Sequence, residues 1–198
     1  MDLRYSEQLI KLPDLSKAQN LEKLDLGHCT SLVQLHSSIQ HLGKLVFLNL
    51  FACKSLKTLP DISACKLEEL HLDGTAITEL PSSIELQSRL VTLSLCECLR
   101  LKQLPRGISK LKSLKRLHLL GCSNLQRLPD GIGNPKALKN QLVHCNAVRE
   151  VQANIVPRKD GSRKRKTSSF SCEMIELIYV FYTLMCSSFE GIHPHRIW

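Results

Sequence analysis

The sequence predicts an α/β fold: a curved solenoid of stacked turns, with a parallel sheet on its concave side and short helical or irregular turns on its convex side. Two observations predict it. The pattern Leu-x-x-Leu-x-Leu, followed by cysteine or threonine and further leucines, occurs five times in register. The copies are spaced 24, 22, 23 and 24 residues apart, as leucine-rich repeats are, and they begin at Leu21, Leu45, Leu67, Leu90 and Leu114.

The stretch Leu90–Leu111 shows why each copy is a turn and not one helix or strand. Its apolar residues follow neither a helical period nor strict alternation, because a short strand is followed by a return segment. Leu-Pro steps such as Leu104-Pro105 start the returns, since proline fixes φ and cannot donate to a sheet. Ser37–Lys44 and Arg106–Lys112 are predicted to run along the convex side. One turn cannot bury its own leucines, so stability must come from neighbouring turns.

The repeats are predicted to fill residues 1–156 as a leucine-rich repeat domain. Met1–Leu15 has the leucine spacing of the second half of a repeat, so we expect the chain to begin inside a repeat and to be a piece of a longer protein. Five clear repeats follow. Leu138–Ile155 keeps the spacing with polar residues at some buried positions, and it is interpreted as a degenerate last repeat.

Two further segments follow the repeats. Residues 157–170 are predicted to be a basic linker, and their cationic run is typical of a solvated segment. The same run is compatible with a nuclear import signal, formed by Arg163, Lys164, Arg165 and Lys166, or with a nucleic-acid contact. Residues 171–198 form an apolar tail, which either covers the last repeat or has no fold of its own. Its apolar part, Cys172–Cys186, is shorter than the ~20 residues that span a bilayer, so no membrane span is predicted.

Cysteine placement and targeting signals predict a cytoplasmic protein, with a nuclear location as the alternative. Four of the nine cysteines occupy one repeat position, and Thr75 fills it in another copy, which favours packed, reduced thiols over disulfides. No apolar run near Met1 has the form of a secretory signal, and no Asn-x-Ser/Thr acceptor site occurs. The four cysteines are Cys29, Cys53, Cys98 and Cys122.

The sequence predicts no enzyme, cofactor or metal site. It contains no Gly-rich loop ending in Gly-Lys-Ser/Thr that would hold a nucleotide. Cys96 and Cys98 are adjacent strand positions that face opposite sides, so they cannot easily bind one ion. His71 and His118 are expected on the concave face without a serine and carboxylate arranged as a triad, which suits a solvated or partner-contacting role.

The concave face is the remaining candidate site, because strand residues flanking the buried leucines point into it. Neighbouring strands lie ~4.8 Å apart, so these residues should form continuous rows. Phe47 and Phe51 are the predicted anchors, since exposed aromatic side chains side by side often bind partners; the alternative is that Phe51 covers a repeat corner. The predicted protein-binding residues are Lys23, Asp25, Phe47, Asn49, Phe51, Glu69, His71, Asp73, Thr92, Ser94, Cys96, Arg116 and His118.

Residues 1–155 resemble the repeats of plant intracellular immune receptors of the TIR–nucleotide-binding–leucine-rich-repeat class. The resemblance is carried by Leu3–Ser16, by Leu70–Ile84 and by the Leu-x-Leu-x-x-Cys series. In that family the repeats recognise pathogen effectors or guarded host proteins and restrain the nucleotide-binding switch. The resemblance therefore implies a protein partner: an effector, a guarded host protein or the nucleotide-binding domain of a related receptor. No TIR or nucleotide-binding domain lies in this sequence, so nucleotide switching and NAD cleavage are not implied.

Two other hypotheses remain at this point. The first is a general intracellular leucine-rich repeat scaffold for signalling proteins, because Leu-Pro-type repeats also serve such assemblies. The second is association with nucleic acid through Arg158–Lys166. It is disfavoured because that run contains no aromatic residue on which a base could stack.

Overall fold

A computed structural model describes residues 1–129, which form a leucine-rich repeat solenoid with one parallel sheet. This confirms the predicted fold class. The strands follow one another in sequence order and pair with their neighbours without a register shift. In the described residues the strands are β1 (Lys23–Asp25), β2 (Phe47–Asn49), β3 (Glu69–His71), β4 (Thr92–Ser94) and β5 (Arg116–His118).

The return segments carry the only helices in the described residues, all of them short 3₁₀ helices. They span Ser37–His41, Ser82–Leu86 and Arg106–Lys110, and two of them begin directly after a Leu-Pro step. None of these helices is long and apolar enough to cross a membrane. The predicted last repeat, the basic linker with Arg163–Lys166 and the apolar tail all lie outside the described residues.

The core is a stack of leucines contributed by every repeat. The central strand residues Leu24, Leu48, Leu70, Leu93 and Leu117 lie opposite one another across the sheet, and all five are fully buried. Residues 1–12 pack on the first complete repeat in the same way: Asp2 pairs with Asp25 of β1, and Lys11 pairs with Gln34 beyond it. Each repeat therefore covers the leucines of the next one, which is the arrangement that the spacing requires.

The repeated cysteine joins each turn to the one before it. The thiol of Cys53 donates to the carbonyl of Leu26 at 3.2 Å, and that of Cys98 donates to Leu72 at 3.1 Å. Cys29 and Cys122 make the same bond to the preceding repeat. Thr75 differs, because its hydroxyl donates to the Leu72 carbonyl of its own repeat at 2.7 Å. The position thus supplies an additional donor to carbonyls that also accept a backbone amide of their own repeat, as Leu26 does from Cys29 at 3.1 Å.

We expect these thiols to be unreactive in the folded protein. The six described cysteines are free, and burial raises the pKa of Cys53 to about 12 and that of Cys98 to about 11. Because the thiolate is the nucleophile, Ellman's reagent at mildly alkaline pH should label them slowly in native protein and rapidly in denaturant. Equal labelling rates in the two conditions would show that the repeats do not pack as described.

The different repeat lengths have a local cause. In the 22-residue copy the return segment has no helix, since Leu59 and Ile62 are one residue closer together than Leu35 and Ile39 in the first copy. A further residue is missing before Leu67. The next repeat compensates for this shortening through Gln87, which stands where other copies have leucine.

Gln87 is a buried side chain that replaces backbone hydrogen bonds. Its Nε2 donates to the carbonyl of Ile62 at 2.8 Å, and its Oε1 accepts from the amide of Leu67 at 3.1 Å. The side chain is only 2% exposed. The Ile62 carbonyl belongs to the short repeat and the Leu67 amide begins the next one, so Gln87 joins the two across the shortened turn.

Candidate protein-binding face

The outward side of the five strands forms one face, called the open face here. It consists of the strand residues that flank the buried leucines and of the second residue after the end of each strand, such as Phe51, Asp73 and Cys96. Cross-strand pairing places Lys23, Phe47, Glu69, Thr92 and Arg116 in one row, and Asp25, Asn49, His71, Ser94 and His118 in a second row. All thirteen predicted binding residues therefore belong to this face or to its edge where the strands end.

A polar network fixes the part of the open face over β1 and β2. Asp25 Oδ1 accepts from the amide of Gly27 at 3.0 Å and from Asn49 Nδ2 at 2.8 Å. Asn49 Oδ1 in turn accepts from the amide of Phe51 at 3.0 Å. Arg4 lies 3.8 Å from Asp25 and forms an ion pair with Asp2 at 2.9 Å. These polar side chains are held in one arrangement before any partner arrives.

A second network links Asp73, Ser94 and His118 across three repeats. The Ser94 hydroxyl donates to Asp73 Oδ1 at 2.5 Å and lies 3.5 Å from His118 Nδ1. The Cys96 amide donates to the same Asp73 oxygen at 2.9 Å. A serine and a carboxylate thus lie near His118, which the sequence did not show. However, serine and not histidine is the central member, so histidine does not relay a proton from serine to the carboxylate.

Thr92 and Ser94 are less accessible than strand alternation predicts. They are 4% and 5% exposed, because neighbouring side chains cover them: Arg116 Nε donates to Thr92 Oγ1 at 2.9 Å, and Asp73 binds Ser94. Both still point to the predicted side of the sheet. They support the side chains above them and offer little contact area of their own.

Phe47 and Phe51 belong to two different aromatic groups, which corrects the prediction that they lie side by side. The ring of Phe47 packs on His71 with centroids 5.7 Å apart. The ring of Phe51 packs on His28 at 5.1 Å, and His28 stacks on Tyr5 at 4.6 Å. Phe51 therefore does pack at a repeat corner, and both phenylalanines are partly buried.

Tyr5 and His28 were missed by the sequence-based reasoning. Both occupy the position two residues after the last strand leucine, where φ is positive in all six described turns, at 57–75°. Only two of these six residues are glycine. Aromatic residues are strained in this conformation, yet Tyr5 and His28 adopt it in two successive turns. Their identical place in the repeat is the signal that could have identified them.

The geometry gives no metal site in residues 1–129. Cys98 points into the core and Cys96 onto the open face, as alternation requires. Burial, and next the nearby carboxylate of Asp73, raise the pKa of Cys96 to about 12. No group of three His, Cys, Asp or Glu side chains in this part of the chain is arranged to hold an ion.

Plant proteins are similar in sequence to this chain. No family model matches the sequence. Disease resistance protein RPS4B of Arabidopsis thaliana is 42% identical over 117 residues, covering 59% of this chain and 10% of that protein. Disease resistance protein RPP2A of Arabidopsis thaliana is 40% identical over 123 residues, and the match covers 51% of this chain and 9% of RPP2A. The chain is similar in sequence to these two plant disease resistance proteins. It spans about a tenth of the length of these relatives.

A solved structure is similar to this chain in its fold. A leucine-rich repeat protein of Leptospira interrogans is 31% identical to it with a TM-score of 0.51, and the match covers 67% of this chain and 33% of the bacterial one. The likeness extends over more of the chain than either plant match. The bacterial structure shows the same repeat architecture, whereas the plant proteins show the higher sequence identity.

We expect the stability of this leucine-rich repeat chain to fall as the pH drops below about 6.5, partly through His118. Burial lowers the pKa of His118 from its usual 6.5, Asp73 opposes the shift, and Arg116 and His71 add to it. Between the two pKa values the unfolded chain binds a proton that the folded chain does not. Denaturation midpoints at about pH 8 and about pH 5.5 should differ less in His118→Gln than in the parent. An equal difference in the two proteins would contradict this role; His41→Gln is the control.

Proposed function

We propose that this chain is a protein-recognition module of plant innate immunity, which binds a pathogen effector or a guarded host protein through the open face. The observation that carries the proposal is the row of side chains across five parallel strands, held by hydrogen bonds between repeats. The names of the Arabidopsis relatives favour immunity over a general scaffold. The nucleotide-binding domain of a related receptor is the third candidate protein partner for this face. We place the protein in the cytoplasm, with Arg163–Lys166 as its route to the nucleus.

Preorganisation is the physical reason for choosing this face. Binding loses free energy when flexible side chains must be ordered, and here Asn49 and Asp73 are ordered before binding. Aromatic residues and arginine supply most hot spots in protein interfaces. Phe47 and Arg116 lie in one row of the open face, so we assign them the anchoring role. Thr92 and Ser94 support them from below.

The proposed function is the binding of another protein and includes no catalysed reaction. The hydroxyl of Ser94 is buried, so a substrate cannot reach it as a nucleophile. The partly exposed thiol of Cys96 has a raised pKa, which disfavours the reactive thiolate. The chemistry of this face suits contact with another protein.

The test compares two double variants with matched chemistry. Phe47→Ala with Arg116→Ala removes one large apolar and one basic side chain from the open face, whereas Leu86→Ala with Lys112→Ala removes the same types from the return side. Proteins retained from leaf extract by the immobilised chain are quantified by mass spectrometry. We expect a partner whose retention falls about tenfold or more for the first pair only. Retention profiles that do not distinguish the two pairs would contradict the proposal, provided that both variants keep the parent circular dichroism.

A further inference from the structure

Charge is distributed unevenly along the repeats. Residues 1–97 contain nine basic and twelve acidic residues, whereas residues 98–129 contain eight basic and no acidic residues. Of these eight cations only Lys110 forms an ion pair within the described part of the chain, with Glu85 at 3.0 Å. Residues 98–129 therefore carry a concentrated positive charge and no acidic side chain of their own.

A cleft lies on one flank of the same repeats, away from the open face. Its volume is about 420 Å³. Three successive turns each contribute two neighbouring residues to its wall: Thr78 and Glu79, Lys102 and Gln103, Gln126 and Arg127. All except Thr78 are exposed.

Backbone bonds between the repeats hold the floor of the cleft. The Lys102 amide donates to the Thr78 carbonyl at 3.0 Å, and the Gln126 amide donates to the Lys102 carbonyl at 3.3 Å. The three turns are therefore in register here, as they are in the sheet. The wall presents two cations that form no ion pair among residues 1–129, one carboxylate, two amides and one hydroxyl. They lie along a track about two strand spacings, or ~10 Å, long.

We propose that this flank cleft is a second docking surface, which binds an acidic, extended peptide segment of a partner protein. Carboxylates spaced along such a segment pair with Lys102 and Arg127, and Gln103 and Gln126 bond to its backbone. The neighbouring cations outside the cleft raise the local concentration of an acidic partner through their combined field. This surface is separate from the open face, so it does not depend on the function proposed above.

The same geometry disfavours nucleic acid as the occupant. Glu79 stands in the wall and would repel a continuous line of phosphates. Among the described residues that line the cleft there is no aromatic ring on which a base could stack. A peptide can leave a neutral or basic residue opposite Glu79, whereas a phosphate backbone cannot.

The probe is a fluorescein-labelled oligoglutamate peptide, measured by fluorescence anisotropy with the full chain at low ionic strength. Lys102→Gln and Arg127→Gln should each weaken binding about two- to fivefold, the range for exposed charge pairs. Glu79→Gln should strengthen binding by a similar factor, because it removes the repulsive charge. Arg106→Gln and Lys112→Gln change the net charge equally outside the cleft, and they should have a smaller effect than the cleft variants.

Three outcomes would overturn the inference. One is that no peptide binds at low ionic strength. Another is equal loss of affinity in the cleft and control variants, which would mean that net charge alone attracts the peptide. The third is that a single-stranded oligonucleotide of the same charge competes more strongly than unlabelled oligoglutamate, which would assign the surface to nucleic acid.

Discussion

Replacing Leu70 by alanine is expected to lower the free energy of unfolding by about 2–5 kcal/mol, the usual range for a leucine lost from a packed core. Leu70 is the central residue of the central strand and is fully buried between Leu48 and Leu93. Because each repeat covers the next, the cavity would weaken the contacts on both sides. Denaturant unfolding followed by circular dichroism measures the change.

Leu86→Ala is the matched control for this experiment. Leu86 lies on a return segment and is 59% exposed, so the same deletion should change the stability by no more than about 0.5 kcal/mol. Equal effects of the two substitutions would show that the strand leucines do not form the core.

Replacing Gln87 by leucine is expected to destabilise the protein by about 1–2 kcal/mol, although leucine occupies this position in two other copies. Leu42 and Leu111 stand there, so comparison of the repeats alone would predict stabilisation. The structure predicts the opposite sign, because the substitution leaves the Leu67 amide buried without a partner and leaves the Ile62 carbonyl with the Cys65 amide as its remaining donor. The unpaired amide costs about 1–3 kcal/mol and the lost bond to the carbonyl about 0.5–1.5 kcal/mol, and the gain from a buried leucine offsets part of that sum.

Thermal and denaturant unfolding of Gln87→Leu test the sign directly. Gln103→Leu is the control, since Gln103 is exposed and its loss leaves no buried group unpaired. A Gln87→Leu protein as stable as the parent, or more stable, would refute the bridging role of this side chain.

The sheet could be predicted from the sequence because the leucine spacing indicates which residues must be buried. All five strands lie at the predicted place in their copies, and the repeated cysteine bonds to the backbone as its position suggested. The role of Gln87 could not be predicted, because it follows from a shortening in the preceding repeat. A local pattern does not show which backbone groups lose their partners elsewhere.

The open face was predicted in outline for a similar reason. Strand alternation shows the side to which a residue points, and all thirteen candidates point as expected or lie at the edge. Alternation does not show what a neighbouring repeat places on top of that residue. Arg116 covers Thr92, and Ser94 joins Asp73 to His118, over separations of 21 to 24 residues. Such lateral contacts depend on side-chain conformations, which a single sequence does not reveal.

Hydrogen exchange of individual amides, measured by NMR, tests the in-register stack most directly. Four leucine amides, one in each of four successive repeats, donate to the following repeat at 2.8–2.9 Å: those of Leu26, Leu50, Leu72 and Leu95. The stack predicts that these amides exchange slowly and with similar protection, since they open only when neighbouring repeats separate. Fast exchange at these four leucines, with protection elsewhere in residues 1–129, would contradict it.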